Sequence, residues 1–149
     1  MMGLSAQKGG YMRTISLLGI AFALAACGHD GVGPSPTPTI PGKYDLTTVD
    51  GQVLPFTALD LGAYQAKLVS GTLSLSADGT YSFQFGIRIE DSGNVRTAAD
   101  SDGGLWNVND KAITLASTHG DIARTGTVSG NVMTLQSSSR VFGLTKNRR

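Results

Sequence analysis

Along residues 81–90 apolar and polar side chains alternate without a break. Tyr81, Phe83, Phe85, Ile87 and Ile89 share one phase, and Ser82, Gln84, Gly86, Arg88 and Glu90 the other. A period of two sustained over this length is the mark of a strand with one face buried. Leu73 and Leu75 alternate with Thr72, Ser74 and Ser76 just upstream. The Asp78-Gly79 pair between the two runs suits a type I′ turn. The pattern predicts an antiparallel hairpin over about 67–76 and 79–90.

Similar units follow. Ser92-Gly93-Asn94 reads as a turn and Val95 to Ala99 as a weak strand. Gly104-Leu105-Trp106-Asn107-Val108 leads through Asn109-Asp110 into Ala112-Ile113-Thr114-Leu115. Ile122 to Val128 leads through Ser129-Gly130-Asn131 into Val132-Met133-Thr134-Leu135. A last strand spans about 139–145, ahead of a basic tail. Near the start, Tyr44-Asp45-Leu46-Thr47 and Gln52-Val53-Leu54 flank the turn Val49-Asp50-Gly51. Residues 57–64 fit a loop or one helical turn, and no amphipathic helix of ten residues follows position 27. About eight to ten short strands in sequence order must bury one face and hide their edges. An antiparallel meander closing into an up-and-down barrel does both, and is preferred over a sandwich, which would show longer crossovers.

Composition agrees with an all-β chain. Twenty of 149 residues are glycine, about twice the usual share of about 7%, and serine and threonine are abundant. From position 28 onward the basic and acidic residues nearly cancel. A broad electrostatic footprint for nucleic acid is therefore not expected. A single cysteine excludes an intramolecular disulfide and a cysteine-based zinc cluster, and no cofactor is implied.

The first segment reads as an address. Lys8 and Arg13 precede the apolar run Ile15 to Ala26. That run is short of the roughly twenty residues that span a bilayer, but it fits a secretory signal, with the start at Met1 or Met12. It ends Leu24-Ala25-Ala26-Cys27, so the chain's one cysteine falls where a signal peptide would be cut. This closely resembles the lipobox of bacterial lipoproteins. The resemblance implies cleavage between Ala26 and Cys27, diacylglyceryl transfer to the Cys27 sulfur and acylation of the new amino terminus. Two or more acyl chains give stable anchoring. Gly28, rather than Asp, after the cysteine leans toward the outer membrane, facing the periplasm or the cell surface. Residues 28–41 hold four of the five prolines. Such a segment favours extended polyproline II and serves as a tether with a reach of roughly 40 Å. The expected organisation is a signal peptide over 1–26, a lipidated Cys27 and tether over 27–41, and a barrel over 42–149.

Gly42-Lys43-Tyr44-Asp45-Leu46, Gly51-Gln52-Val53-Leu54-Pro55, Gly71-Thr72-Leu73-Ser74-Leu75, Asp78-Gly79-Thr80-Tyr81 and Gly104-Leu105-Trp106 together resemble the lipocalin-like lipoproteins of bacteria. The likeness covers most of residues 42–145 and implies a small lipocalin-like barrel. Lipocalins proper carry Gly-x-Trp on the first strand, whereas here it falls in mid-chain, so no ligand residue carries over.

Candidate chemistry is sparse. His119 lies in Ser117-Thr118-His119-Gly120-Asp121, but neighbours in one turn cannot converge as an acyl-transfer triad does. Asp100-Ser101-Asp102-Gly103-Gly104 opens like a calcium loop, yet an EF-hand would need Glu where Lys111 stands. It reads better as a turn. Glu90 and Asp91 read as charges guarding a sheet edge. His29 and Asp30, in the tether, lack a third metal ligand. Tyr81, Phe83, Phe85 and Trp106 are the candidates to line an apolar ligand cavity, with core filling as the alternative. The expectation is a non-enzymatic, lipid-anchored envelope module with no catalytic residue or metal. It would bind an apolar small molecule or an envelope protein. The alternative is a solid-core structural or interaction protein, and an envelope hydrolase ranks last.

Overall fold

The computed structural model describes residues 39–120 and 123–148. The proposed signal peptide, cleavage site, Cys27 and most of the tether lie outside the described residues. Among the described residues ten strands follow one another: β1 (Gly42–Val49), β2 (Gln52–Val53), β3 (Phe56–Asp60), β4 (Tyr64–Leu75), β5 (Thr80–Asp91), β6 (Asn94–Asn109), β7 (Ala112–Ser117), β8 (Ala123–Ser129), β9 (Val132–Ser137) and β10 (Arg140–Lys146). All pairings are antiparallel, and from β3 to β10 each strand pairs with its sequence neighbours.

The sheet closes at β1. Tyr44 faces Lys146 of β10 on one side and Leu73 of β4 on the other. β1 and β4 to β10 thus form an eight-stranded up-and-down barrel, and the short β2 and β3 are additions to it. The expected all-β meander barrel is what the chain forms.

Side-chain phase decides what fills it. Leu73, Leu75, Tyr81, Phe83, Ile113, Leu115, Met133, Leu135 and Leu144 are buried, together with Tyr44 and Leu46 of β1. Alternate residues are buried along β7, β8 and β9, the second half of β4 and the first half of β5, as strand geometry requires. The inside of this barrel is packed with side chains.

Several local expectations change. Residues 57–64 hold no helix: 57–60 belong to β3, which pairs with β4 from Phe56↔Leu68 to Asp60↔Gln65, and a short bend over 61–63 leads into β4 at Tyr64. Residues 100–104 do not turn. They lie in the middle of β6, which runs unbroken for 16 residues, so a calcium loop is excluded there. Asp78-Gly79 is not a type I′ turn, since only Gly79 has positive φ (86°). The Asp78 carboxylate accepts from both the amide and the hydroxyl of Thr80. The Ser76 amide donates to the Thr80 carbonyl at 2.9 Å, so the link is a three-residue one with a left-handed glycine. Double positive φ occurs instead at Asp50-Gly51 and Ser92-Gly93. Glu90 does not guard an edge, because β5 lies between β4 and β6. Its carboxylate pairs with Lys67 and Arg88, each at 3.2 Å.

Candidate functional site

The barrel opens where its first strand bends away. β1 pairs with β4 only through Gly42–Asp45, and a register irregularity follows between Leu46 and Thr48. Beyond it, Thr48 and Val49 pair with β2, while the first half of β4 pairs with β3. The wall between β1 and β4 is split at this end, and β2 and β3 flank the split.

An apolar cleft of about 240 Å³ occupies the opening. Val49, Phe56, Leu68, Phe85, Ile87 and Phe142 supply most of its surface. Phe83, fully buried, lies beneath, with its ring centroid 4.2 Å from that of Phe85 and 6.1 Å from that of Phe142. Two charged residues reach the cleft, Arg140 and Asp100. The Arg140 guanidinium sits 4.8 Å over the Phe56 ring and donates to Asp50 at 2.9 Å. Asp50 also accepts from the Val141 amide at 2.8 Å. The Val141 amide and Arg140 hold its carboxyl below the usual range. Arg140 is thus a cation at the cleft already balanced by its neighbour.

Of the four aromatic candidates for cavity lining, Phe85 lines the cleft. Tyr81 and Phe83 are packed in the core beneath it. Trp106 lies at the other end of the barrel, where its indole N–H donates to the Ser76 carbonyl at 2.8 Å. The sequence pattern placed all four on inward phases but could not show where along the barrel packing stops and the opening starts.

A second cluster escaped the sequence reading. Asp102 points into the barrel and forms an ion pair with Arg124 of β8. The Ser117 hydroxyl donates to Asp102 at 2.5 Å and the Tyr81 hydroxyl at 2.9 Å. Burial by itself would raise the Asp102 carboxyl. Hydrogen bonds from Ser117, Arg124 and Tyr81, with the Arg124 charge, outweigh it and hold the group below the usual carboxylate range. Burial, reinforced by the neighbouring carboxylate, pushes the Tyr81 phenol up to about 12. Arg124 also lies 5.7 Å over the Phe83 ring, and its buried Nε has no hydrogen-bond partner. None of these four residues lines the apolar cleft. Its signal in the sequence is phase: Asp102 keeps step with Gly104, Trp106 and Val108, and Arg124 with Val128.

His119 is exposed on the bend after β7, its ring Nδ1 3.4 Å from the Thr118 hydroxyl. Ser117, the nearest serine, directs its hydroxyl to Asp102 instead. Asp121 lies outside the described residues. Among the described residues no three His, Cys, Asp or Glu side chains are grouped to hold a metal. No protein-family model matches the chain, and no curated protein matches it in sequence.

Proposed function

We propose that this chain is a lipid-anchored lipoprotein of the bacterial cell envelope, held at the outer membrane through Cys27. Its barrel acts as a non-enzymatic binding module for a small apolar molecule. The observation that carries the binding half is the cleft between β1 and β4. Its surface is largely hydrocarbon, and its volume of about 240 Å³ suits a small ligand or one end of a longer one, being just under the roughly 300–1,000 Å³ of drug-sized pockets. The anchoring half rests on Leu24-Ala25-Ala26-Cys27 behind a basic and apolar leader.

A solid-core interaction protein is the second reading, favoured by the packed interior below Phe85. Native mass spectrometry of the full chain extracted from envelopes separates the two. Wild type should carry an apolar adduct, and Ala66→Trp, which fills the cleft from its wall, should lose it. Adduct-free spectra from both would overturn the ligand-binding reading and leave the interaction reading.

A further inference from the structure

β6 carries a free sheet edge. β5 covers one side of it from Asn94 to Leu105, but β7 covers the other only from Gly104 to Asn109. Residues 94–101 are all exposed. Asp91 and Asn94 flank the two-residue turn Ser92-Gly93, and such a flanking pair exchanges both hydrogen bonds. Even-numbered residues of β6 therefore bond to β5, and odd-numbered ones turn their backbone groups outward. Gly103 fits this parity, since its carbonyl accepts from the Thr118 amide on the β7 side. Val95, Thr97 and Ala99 thus offer N–H and C=O groups to solvent. The Ser101 amide is already taken by the Asp100 carboxylate at 2.8 Å, but its carbonyl is open.

The charges along this edge are self-complementary. Arg96 and Asp100 share one face of the strand with Ala98 midway between them. Four residues of strand hold them roughly 13 Å apart, too far to pair with each other. Neither forms an ion pair elsewhere among the described residues.

We propose that this edge pairs with the same edge of a second copy of the chain, antiparallel about a twofold axis at Ala98. Thr97 of each copy then exchanges both backbone bonds with Ala99 of the other. The Val95 amide donates to the Ser101 carbonyl, giving about six bonds in all. Arg96 of each copy faces Asp100 of the other in a non-hydrogen-bonded pair, the arrangement that brings side chains closest. Two alanines meet at the axis, where bulk would hinder approach. Shifting the axis to residue 96 or 100 sets Arg96 against Arg96 or Asp100 against Asp100, so charge selects one register. An isologous interface requires such a self-matching pattern, whereas capture of an unrelated extended peptide does not. The dimer joins the β3–β6 walls of both copies into one continuous sheet.

The test uses the full chain with Cys27→Ser, which contributes no thiol, purified in mild detergent. Sedimentation should show a dimer. Arg96→Asp alone or Asp100→Arg alone should weaken it about tenfold or more, because each sets two like-charge pairs at the seam. The double exchange should restore it, which also shows that the single variants fold. In the same background Ala98→Cys should form a disulfide-linked dimer on mild oxidation, since facing residues in such a pair meet the distance a disulfide needs. Thr114→Cys, exposed on β7, should not. A monomer at every concentration, a dimer indifferent to the charge exchanges, or equal cross-linking at 98 and 114 would overturn the proposal.

Discussion

Phe83 has no exposed surface and touches both the aromatic floor of the cleft and the Arg124 guanidinium. Its truncation removes transfer energy and leaves a cavity that neighbouring strands cannot close. Phe83→Ala should cost about 3–5 kcal/mol, a large part of the roughly 5–15 kcal/mol that holds a domain together. Gln84, one residue along and exposed, should tolerate alanine within about 0.5 kcal/mol. Paired thermal melts check the contrast. Asp102 gives a different kind of sensitivity. Asp102→Asn leaves the Arg124 charge buried without its counter-ion and should cost about 3–5 kcal/mol, while Asp102→Leu with Arg124→Met should recover much of that. The carboxyl titrates below its ordinary value of 3.8. Its contribution is therefore full above about pH 4 and is lost as pH falls through the folded-state value. Tyr81 acts at the other limit. Its raised phenol, at about 12, makes stability decline as pH climbs from 10 toward 12. Denaturant titrations across pH should show both limbs. Asp102→Asn should flatten the acid limb and Tyr81→Phe the alkaline one.

At the scale of elements, closure of the barrel depends on one glycine. A Cβ on Gly71 would lie 2.8 Å from Leu46 Cδ2 and 2.9 Å from Leu46 Cβ, where β1 comes in across β4. The second distance is to a rigid part of the leucine, so rotation cannot relieve it. Gly71→Ala should destabilise by about 1–3 kcal/mol, and should cost less in a Leu46→Ala background, where the Cδ2 contact is gone. Chemical denaturation of the single and double variants tests this coupling. Alternation made the main hairpin readable from sequence because local phase and tertiary burial agree there: 67–76 and 79–90 became Tyr64–Leu75 and Thr80–Asp91. Agreement failed at residues 100–104. Aspartates and glycines in series favour a turn locally, yet here Asp102 is satisfied by Arg124 from 22 residues away and by Tyr81 from 21. Gly104 has a tertiary reason as well, since a Cβ there would collide with the Ala116 backbone. The cleft was only partly legible. Phe85, a lining candidate from its phase, lies in the cleft, but Phe56, Leu68 and Phe142 come from three other strands, and their convergence depends on the irregularity after Leu46.

For the whole molecule, the anchor proposal turns on a thiol. A hydroxyl is a far weaker nucleophile than a thiolate, so Cys27→Ser should abolish lipid attachment. Growth with a labelled fatty acid should mark the wild-type chain and leave the mutant blank, and equal labelling would remove the basis for envelope anchoring.

Closure of the first strand against the last sets an order of events. Tyr44 finds Lys146 only after about a hundred intervening residues have been made, and loops of that length close late. A ribosome or an export channel delivers β1 first and β10 last. During that interval the hairpins from β4 to β9 can zip locally and β1 can dock on β4, but the edge of β1 that β10 will cover stays bare. The vulnerable species is therefore the nearly complete chain, a curved sheet with both margins bare, and not the nascent one. A membrane-tethered amino terminus would keep that waiting strand in place and separate from its neighbours until the final seven residues of β10 arrive.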